Sequence, residues 1–366
     1  MKNIFGKAML LATALLFSIT GTSCSSDDSP VPEKEKTYDM SGFAKGADVS
    51  WLTEMEQDGV KFYNQNGKAT ECMKLLREEG TNSIRLRVWV NPEGGWCGKD
   101  DVIAKAWRAQ QLGFRLMIDF HYSDTWADPA HQTVPAAWQG YTAEQMKQAV
   151  ADHTKDVLTA LKDKGVTNVE WVQVGNETRD GMLWNDAEGD DAKAVTGRVS
   201  ENAANFAAYV NAGYDAVKAV YPQAKVIVHV DEGNNLGRYT WLFGELKKKG
   251  GKWDVIGMSL YPEDNNWLDL TTNCLNNIKT LSEQYNCNVI ISEIGMWWGS
   301  DQAAPMMKKM VDGCKAISTC EGIFYWEPEV YNNWKPANYT TLGWSAYTKG
   351  AFDNSGKPTA VFDAYK

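Results

Sequence analysis

Two carboxylates follow two separate apolar runs of the chain. Glu177 comes directly after Trp171-Val-Gln-Val-Gly-Asn176, and Glu293 comes after Val289-Ile-Ile-Ser. A charged side chain at the end of a buried strand is unfavourable unless it is paired or used. Two carboxyl groups about 5–5.5 Å apart can cleave a glycosidic bond, one as nucleophile and the other as acid and base. Either glutamate alone is more simply explained as a helix cap or a salt-bridge residue, but the pair indicates a retaining glycosidase.

Hydrophobic patterning explains how these two glutamates meet. Short β-branched runs alternate with amphipathic segments, and this alternation predicts a parallel sheet. The predicted strands are 45–49, 83–89, 114–120, 169–174, 225–230, 254–260, 288–292 and 322–325, and helical patterns include 69–79, 144–164, 201–220 and 304–317. Eight such repeats predict an α/β fold, a single (β/α)8 TIM barrel, whose active site lies at the carboxyl ends of the strands. A doubly wound sheet is the alternative, but no glycine-rich phosphate loop follows any strand.

Other strand ends carry polar and aromatic side chains that face the same end of the barrel. We expect Arg85 to pair with Glu293 and to lower the pKa of that carboxyl group. The full set of predicted sugar-contacting residues is Arg85, Trp89, His121, Asp124, Trp126, Asn176, His229, Asp231, Tyr261 and Trp326. Each tryptophan and histidine in this set also has the simpler interpretation of a core residue.

Composition excludes several classes of protein. The chain has 366 residues with a formal net charge of -10 and 16 tryptophans. An acidic chain lacks the basic surface that a nucleic-acid partner requires, and this apolar content is too high for a disordered chain. Neither a GxSxG motif nor a zinc-ligand spacing is present, so the sequence predicts no cofactor and no metal.

The N-terminus is typical of an exported protein. Lys2 and Lys7 precede an apolar run of about a dozen residues, which predicts a signal peptide over 1–23 rather than a membrane span. Small residues lead into Cys24, which we expect to be lipidated; ordinary cleavage with an incidental cysteine is the alternative. A flexible tether over 24–42 and a catalytic domain over 43–366 follow. The acidic residues after Cys24 resemble the export tag of bacterial surface lipoproteins, so we expect an outer-membrane lipoprotein on the cell surface, with the periplasmic face as the alternative.

Six further cysteines lie in the predicted domain, and an oxidising compartment permits disulfides. Cys274–Cys287 and Cys314–Cys320 are the plausible local pairs.

The longer motifs resemble one family, the family 53 endo-β-1,4-galactanases of glycoside hydrolase clan A. The matching segments are Gly46-Ala-Asp-Val-Ser-Trp51, Ser83-Ile-Arg-Leu-Arg-Val-Trp-Val-Asn-Pro92, Asp119-Phe-His-Tyr-Ser-Asp-Thr-Trp-Ala-Asp-Pro-Ala-His-Gln132, Gln173-Val-Gly-Asn-Glu177 and Phe324-Tyr-Trp-Glu-Pro328. The resemblance implies hydrolysis of internal β-1,4-galactosidic bonds in galactan or type I arabinogalactan, the side chains of pectin, by a monomeric enzyme. The acidic insertion of calcium-binding relatives is missing after Glu293, so we expect no such site. Glu329-Val330 departs from the family's Ala-Trp.

On this interpretation, Glu293 is the nucleophile and Glu177 the acid/base of a double displacement. Asn176 hydrogen-bonds the sugar 2-OH, Tyr261 orients Glu293, and Trp326 lies under the reacting sugar. Two alternatives stay open: a clan A enzyme for another β-glycan, of the mannanase or cellulase type, and a non-catalytic glycan-binding surface lipoprotein.

Overall fold

The computed structural model describes residues 37–185 and 189–366. The predicted signal peptide, Cys24 and most of the predicted tether lie outside the described residues. Tyr38–Lys366 form one compact unit. This unit includes residues 38–42, which the sequence analysis assigns to the tether. They lie against the barrel, since Arg77 stacks over the ring of Tyr38 at 4.5 Å and Asn82 donates to the carbonyl of Ser41.

Eight parallel strands form a closed barrel in which each pairs with the next and the last pairs with the first. The strands are β1 (Ala44–Asp48), β2 (Ser83–Val88), β3 (Arg115–Phe120), β4 (Val169–Val174), β5 (Lys225–Val230), β6 (Val255–Leu260), β7 (Asn288–Ile294) and β8 (Cys320–Trp326). The predicted (β/α)8 TIM barrel is therefore confirmed. β7 and β8 extend beyond their predicted ends, because Glu293 pairs with Ser259 and Trp326 pairs with Asp48.

Helices alternate with the strands along the chain. They are α1 (Leu52–Gln57), α2 (Cys72–Glu78), α3 (Lys99–Gln111), α4 (Ala143–Asp163), α5 (Asp190–Val195), α6 (Val199–Val220), α7 (Leu236–Lys248), α8 (Trp267–Tyr285), α9 (Ala303–Lys315) and α10 (Ala337–Leu342). The longest of them have apolar faces buried against the strands, and α4 begins with a capping box between Thr142 and Gln145. None of the helices in the described ranges is long and apolar enough to cross a membrane.

The barrel interior has an apolar lower layer and a polar upper layer. The lower layer consists of Ala44, Met117, Trp171, Ile227, Val255, Ile290 and Phe324, all at most 1% exposed. At Gly46, any Cβ would clash with the ring of Phe324, so this ring fills the space that a side chain would need. Because side chains two residues apart share a face of a strand, Asp119, Gln173 and His229 lie one step nearer the carboxyl ends than Met117, Trp171 and Ile227. The strand period thus places buried polar groups beneath the mouth of the barrel.

The predicted disulfides do not form, because all six cysteines of the described chain are free thiols. Cys274 lies in α8 and Cys287 lies just beyond its end, so roughly 17 Å of helix separates them at 1.5 Å per residue. A disulfide requires Cα atoms about 4.4–6.8 Å apart. Cys314 and Cys320 do lie side by side at the junction of α9 and β8, but as two thiols.

Candidate active site

A cleft of about 280 Å3 opens at the carboxyl ends of the strands. It is lined by His121, Trp126, Ala127, Asp128, Asn176, Glu177, Tyr261, Glu293, Trp326, Tyr339, Trp344, Tyr347 and Lys349. The two glutamates that the sequence analysis paired therefore share one cavity. Of the ten predicted sugar-contacting residues, five line it: His121, Trp126, Asn176, Tyr261 and Trp326.

Glu177 reaches the cleft through an unusual turn at the end of β4. Gly175 and Glu177 both have positive φ, at 83° and 45° respectively. For a residue with a Cβ this conformation is strained, and such strain is concentrated at functional sites. The turn is held by the amide of Thr178, which donates to the carbonyl of His229 at 2.8 Å. The backbone of neighbouring strands thus supports the position of Glu177.

Glu293 is 5% exposed and held by two donors. Arg85 lies 2.9 Å from its Oε1, and the hydroxyl of Tyr261 donates to its Oε2 at 2.7 Å. The predicted contact between Arg85 and Glu293 is therefore present. Both carboxylate oxygens are occupied, which fixes the orientation of this carboxyl group toward the cleft.

Arg85 holds together side chains from three other strands and from the turn after β4. Its guanidinium lies 2.6 Å from Asp48, 2.9 Å from Asp119 and 2.9 Å from Glu293, and it donates to Oδ1 of Asn176 at 2.9 Å. Burial disfavours the charge on Arg85, but Asp119, Glu293 and Asp48 together outweigh burial and raise its pKa. Arg85 therefore stays a cation beneath the cleft.

The two cleft glutamates differ in how strongly they hold a proton. Burial raises the pKa of Glu177 well above its ordinary value, and the nearby charge of Glu293 raises it further. Burial also raises the pKa of Glu293, but Arg85 and the Tyr261 hydroxyl oppose that rise. Arg85 lowers the pKa of Glu293 as expected, but desolvation is the larger effect, so the net shift is upward. The contacts of Glu293 with Arg85 and Tyr261 therefore favour ionisation of Glu293 over that of Glu177, the order that a nucleophile and an acid require.

Two buried histidines support the site as neutral groups. Burial lowers the pKa of both His121 and His229. Nε2 of His121 donates to Asp119 at 3.1 Å, while its Nδ1 accepts from Trp89 at 3.2 Å and from the amide of Ala127 at 3.1 Å. This pattern assigns the His121 proton to Nε2 and leaves its ring edge at the cleft.

One wall of the cleft is aromatic. Trp326 packs edge-on against Tyr347 with ring centroids 4.6 Å apart, and Trp126 packs against Tyr339 at 5.6 Å. Trp344 completes the wall beside Tyr339 at 5.2 Å. Indole and phenol faces match the apolar C–H face of a sugar ring, and their rigid rings lose little entropy on binding. Opposed carboxyl groups beside an aromatic wall are suited to holding and cleaving a saccharide.

The other five predicted sugar-contacting residues do not line this cleft. Arg85 and His229 are buried below the carboxylates, and Trp89 is 4% exposed with its indole nitrogen bonded to His121. Asp124 instead fastens two loops, accepting from the amides of Asn91 and Ala136 at 2.9 and 2.8 Å. Asp231 is 4% exposed and held by Arg179 and Arg238. A polar residue just after a strand can therefore serve the barrel rather than the cleft.

Sequence reasoning missed several residues of the cleft. Tyr339, Trp344, Tyr347 and Lys349 all come from the segment after β8. None of them lies directly at the carboxyl end of a strand, which is where active-site residues of a barrel are expected, so the sequence analysis did not identify them. The one signal was the run of aromatic residues between 339 and 347.

Comparison with known proteins agrees with this geometry. The family model for glycosyl hydrolase family 53 matches residues 44–306. The chain belongs to glycosyl hydrolase family 53. It is 29% identical over 347 residues to an arabinogalactan endo-beta-1,4-galactanase of Thermothelomyces thermophilus, covering 88% of this chain and 98% of that protein. It is 30% identical to an endo-beta-1,4-galactanase of Bacillus subtilis, covering 84% of this chain and 75% of that protein.

A solved structure of a fungal beta-1,4-galactanase matches with a TM-score of 0.76 at 28% identity, covering 89% of this chain and 99% of that one. The family 53 match includes both cleft glutamates, Arg85 and Tyr261, but ends within α9. The aromatic wall contributed after β8 lies beyond it. The part of the chain that the family model matches thus carries the carboxyl groups, and the later segment completes the cavity around them.

We expect the charge-conserving change Arg85→Lys to lower the free energy of unfolding by ~3 kcal/mol, because one ammonium group cannot satisfy Asp48, Asp119 and Glu293 together. Urea denaturation at neutral pH measures this. The matched control is Arg115→Lys, whose pair with Glu170 is partly exposed and should lose less than about 1 kcal/mol. Equal losses in the two variants would contradict a central role for Arg85.

Proposed function

We propose that this protein is a retaining endo-β-1,4-galactanase that hydrolyses internal bonds of galactan and of type I arabinogalactan side chains. The observation that carries the proposal is the pair Glu177 and Glu293 in one aromatic-walled cleft of a family 53 barrel. Relatives named as galactanases at about 30% identity support the choice of polysaccharide. In this proposal the protein acts as a monomer. It needs no cofactor, since every step is a proton transfer or a displacement at carbon.

The first displacement forms a covalent glycosyl-enzyme. The ionised carboxylate of Glu293, oriented by Arg85 and Tyr261, attacks the anomeric carbon of the sugar in the cleft. Glu177 gives its proton to the departing glycosidic oxygen, which leaves as a hydroxyl group on the released chain. The raised pKa of Glu177 keeps that proton available near neutral pH.

The second displacement reverses these roles. Glu177, now a carboxylate, takes a proton from a water molecule that attacks the anomeric carbon and releases Glu293.

Asn176 assists both steps. Its Oδ1 already accepts from Arg85 and Gln173, and one hydrogen of its Nδ2 goes to the carbonyl of Ala127. The second Nδ2 hydrogen is left to donate to the sugar 2-OH, a contact that strengthens as positive charge develops on the ring.

We expect Glu293→Gln and Glu177→Gln each to lower kcat on linear β-1,4-galactan by at least about 1000-fold while the protein stays folded. An activated dinitrophenyl glycoside separates the two roles, because its leaving group needs no acid. With that substrate, Glu177→Gln should still form the glycosyl-enzyme and show a burst, whereas Glu293→Gln should stay inactive. The exposed change Glu144→Gln serves as the control. Near wild-type turnover in either cleft variant, or an α-anomer as the first product seen by NMR, would contradict the mechanism.

The pH profile tests the contact between Tyr261 and Glu293. The hydrogen bond from Tyr261 opposes the rise in the pKa of Glu293, so we expect Tyr261→Phe to move the acidic limb of kcat/KM to higher pH. Activity rises on this limb as Glu293 loses its proton, so a higher pKa shifts it upward. The matched control is Tyr347→Phe, since the Tyr347 hydroxyl has no hydrogen-bond partner among the described residues. An unchanged limb in Tyr261→Phe would count against this role.

We further propose that the enzyme is an outer-membrane lipoprotein, anchored through Cys24 and exposed at the cell surface. A polysaccharide is too large to diffuse freely into the periplasm, so an endo-acting enzyme at the surface meets its substrate directly. In Cys24→Ser, labelled palmitate should no longer be incorporated and the protein should leave the membrane fraction. Protease added to intact cells should digest the wild-type protein. Survival of the protein in intact cells but not in lysed cells would place it on the periplasmic face instead.

A further inference from the structure

A second cavity of about 240 Å3 lies beside the cleft, with no lining residue in common with it. Its walls are three indoles, those of Trp51, Trp89 and Trp96, and its polar groups include Glu54, Glu93 and Asn338. The loop after β2 forms one side and α10 forms the other. The catalytic proposal uses none of these side chains.

Two residues that line this cavity each carry a buried polar atom with no partner. Nε1 of Trp51 is buried, on a side chain that is 2% exposed, and Oδ1 of Asn338 is also buried. Neither has a hydrogen-bond partner within the described part of the chain. A buried donor or acceptor left unpaired lowers stability by about 1–3 kcal/mol. One unpaired donor and one unpaired acceptor along the same small cavity are what a bound hydroxylated molecule would satisfy.

The chemistry of the walls selects a neutral ligand over a cation. An aromatic box with carboxylates nearby can hold a cation, but the guanidinium of Arg87 already lies over Trp51 at 5.4 Å and over Trp89 at 5.1 Å. Glu54 is 5% exposed, and its Oε1 accepts from the amide of Ala337 at 2.8 Å. Burial also raises the pKa of Glu54. Flat apolar walls with scattered donors and acceptors suit a sugar ring.

Aromatic rings that pack against one another separate the second cavity from the cleft. Trp51, in the second cavity, packs edge-on against Trp126 and Trp326 of the cleft, with ring centroids 5.7 and 5.1 Å apart. On α10, Asn338 lines the second cavity and the next residue, Tyr339, lines the cleft. A sugar in the second cavity would therefore lie close to a polysaccharide chain in the cleft. The buried indoles of Trp51 and Trp89 close its floor, so a long chain cannot pass through it.

We propose that this second cavity binds a single neutral pentose or hexose ring. The ring is either a free monosaccharide or a one-sugar branch of the chain held in the cleft. The branch source rests on the proposed function, whereas binding of the ring itself does not.

The test uses the full-length protein with D-galactose and L-arabinose as probes, followed by ligand-observed NMR titration. Thr341, an exposed residue of α10, lines the cavity, so Thr341→Trp places an indole across its mouth. Trp96→Ala removes one wall. Thr340→Trp is the matched control, because Thr340 is exposed on the same helix and does not line the cavity. We expect at least one sugar to bind saturably, and Thr341→Trp and Trp96→Ala each to weaken it at least about 10-fold while Thr340→Trp does not.

Hydrolysis distinguishes the source of the sugar. If the ligand is a branch, Thr341→Trp should lower kcat/KM on arabinose-substituted galactan and leave linear galactan unchanged. If it is a free sugar, both substrates should be cut as in the wild type while monosaccharide binding is lost. Absence of saturable binding, or binding that is equal in Thr341→Trp and Thr340→Trp, overturns the second site. A wild-type protein that fails to cut galactan but binds sugar in this Thr341-dependent way refutes the proposed function and leaves the site intact.

Discussion

The structure of the cleft depends on one buried cation. Arg85 is 1% exposed and contacts Asp48, Asp119 and Glu293, which lie on β1, β3 and β7. Removing these charges from water is unfavourable, and their mutual attraction offsets that loss only when the geometry is good and the remaining groups are hydrogen-bonded. The closed barrel provides that geometry, because its strands hold the four side chains at fixed heights. The strand register therefore determines the position of the Glu293 carboxylate.

The same cation also separates the proton affinities of the two cleft glutamates. Both lie in a partly desolvated cavity, where burial alone would raise both pKa values together. Arg85 opposes the rise in the pKa of Glu293, whereas the nearby charge of Glu293 adds to the rise in the pKa of Glu177. One carboxyl group consequently ionises first and, once ionised, makes the second harder to ionise. Two glutamates, Glu177 and Glu293, can thus act as acid and nucleophile because their neighbouring charges differ.

Much of the architecture could be predicted from the sequence. Strand periodicity is a local pattern, and the active site of a (β/α)8 barrel always lies at the carboxyl ends of its strands. All eight strands, the shared cavity of Glu177 and Glu293 and the contact between Arg85 and Glu293 follow from them. The same reasoning failed where a strand end serves the barrel itself, as for Asp231 between Arg179 and Arg238. It also missed Tyr347, which depends on how the segment after β8 folds back over the cleft. Such contacts are between residues distant in sequence, and no periodicity encodes them.

Three of the 16 tryptophans surround one buried cation in the wall between the two cavities. Arg87 lies 4.3 Å from the ring centroid of Trp126 and also over Trp51 and Trp89, and its Nη1 pairs with Glu327 at 3.0 Å. A buried cation among three indoles is stabilised by their electron-rich faces, and in return it holds the rings in one arrangement. Leucine or valine would fill the same volume but could not accommodate the charge. The indoles therefore serve both as packing around Arg87 and as rigid walls.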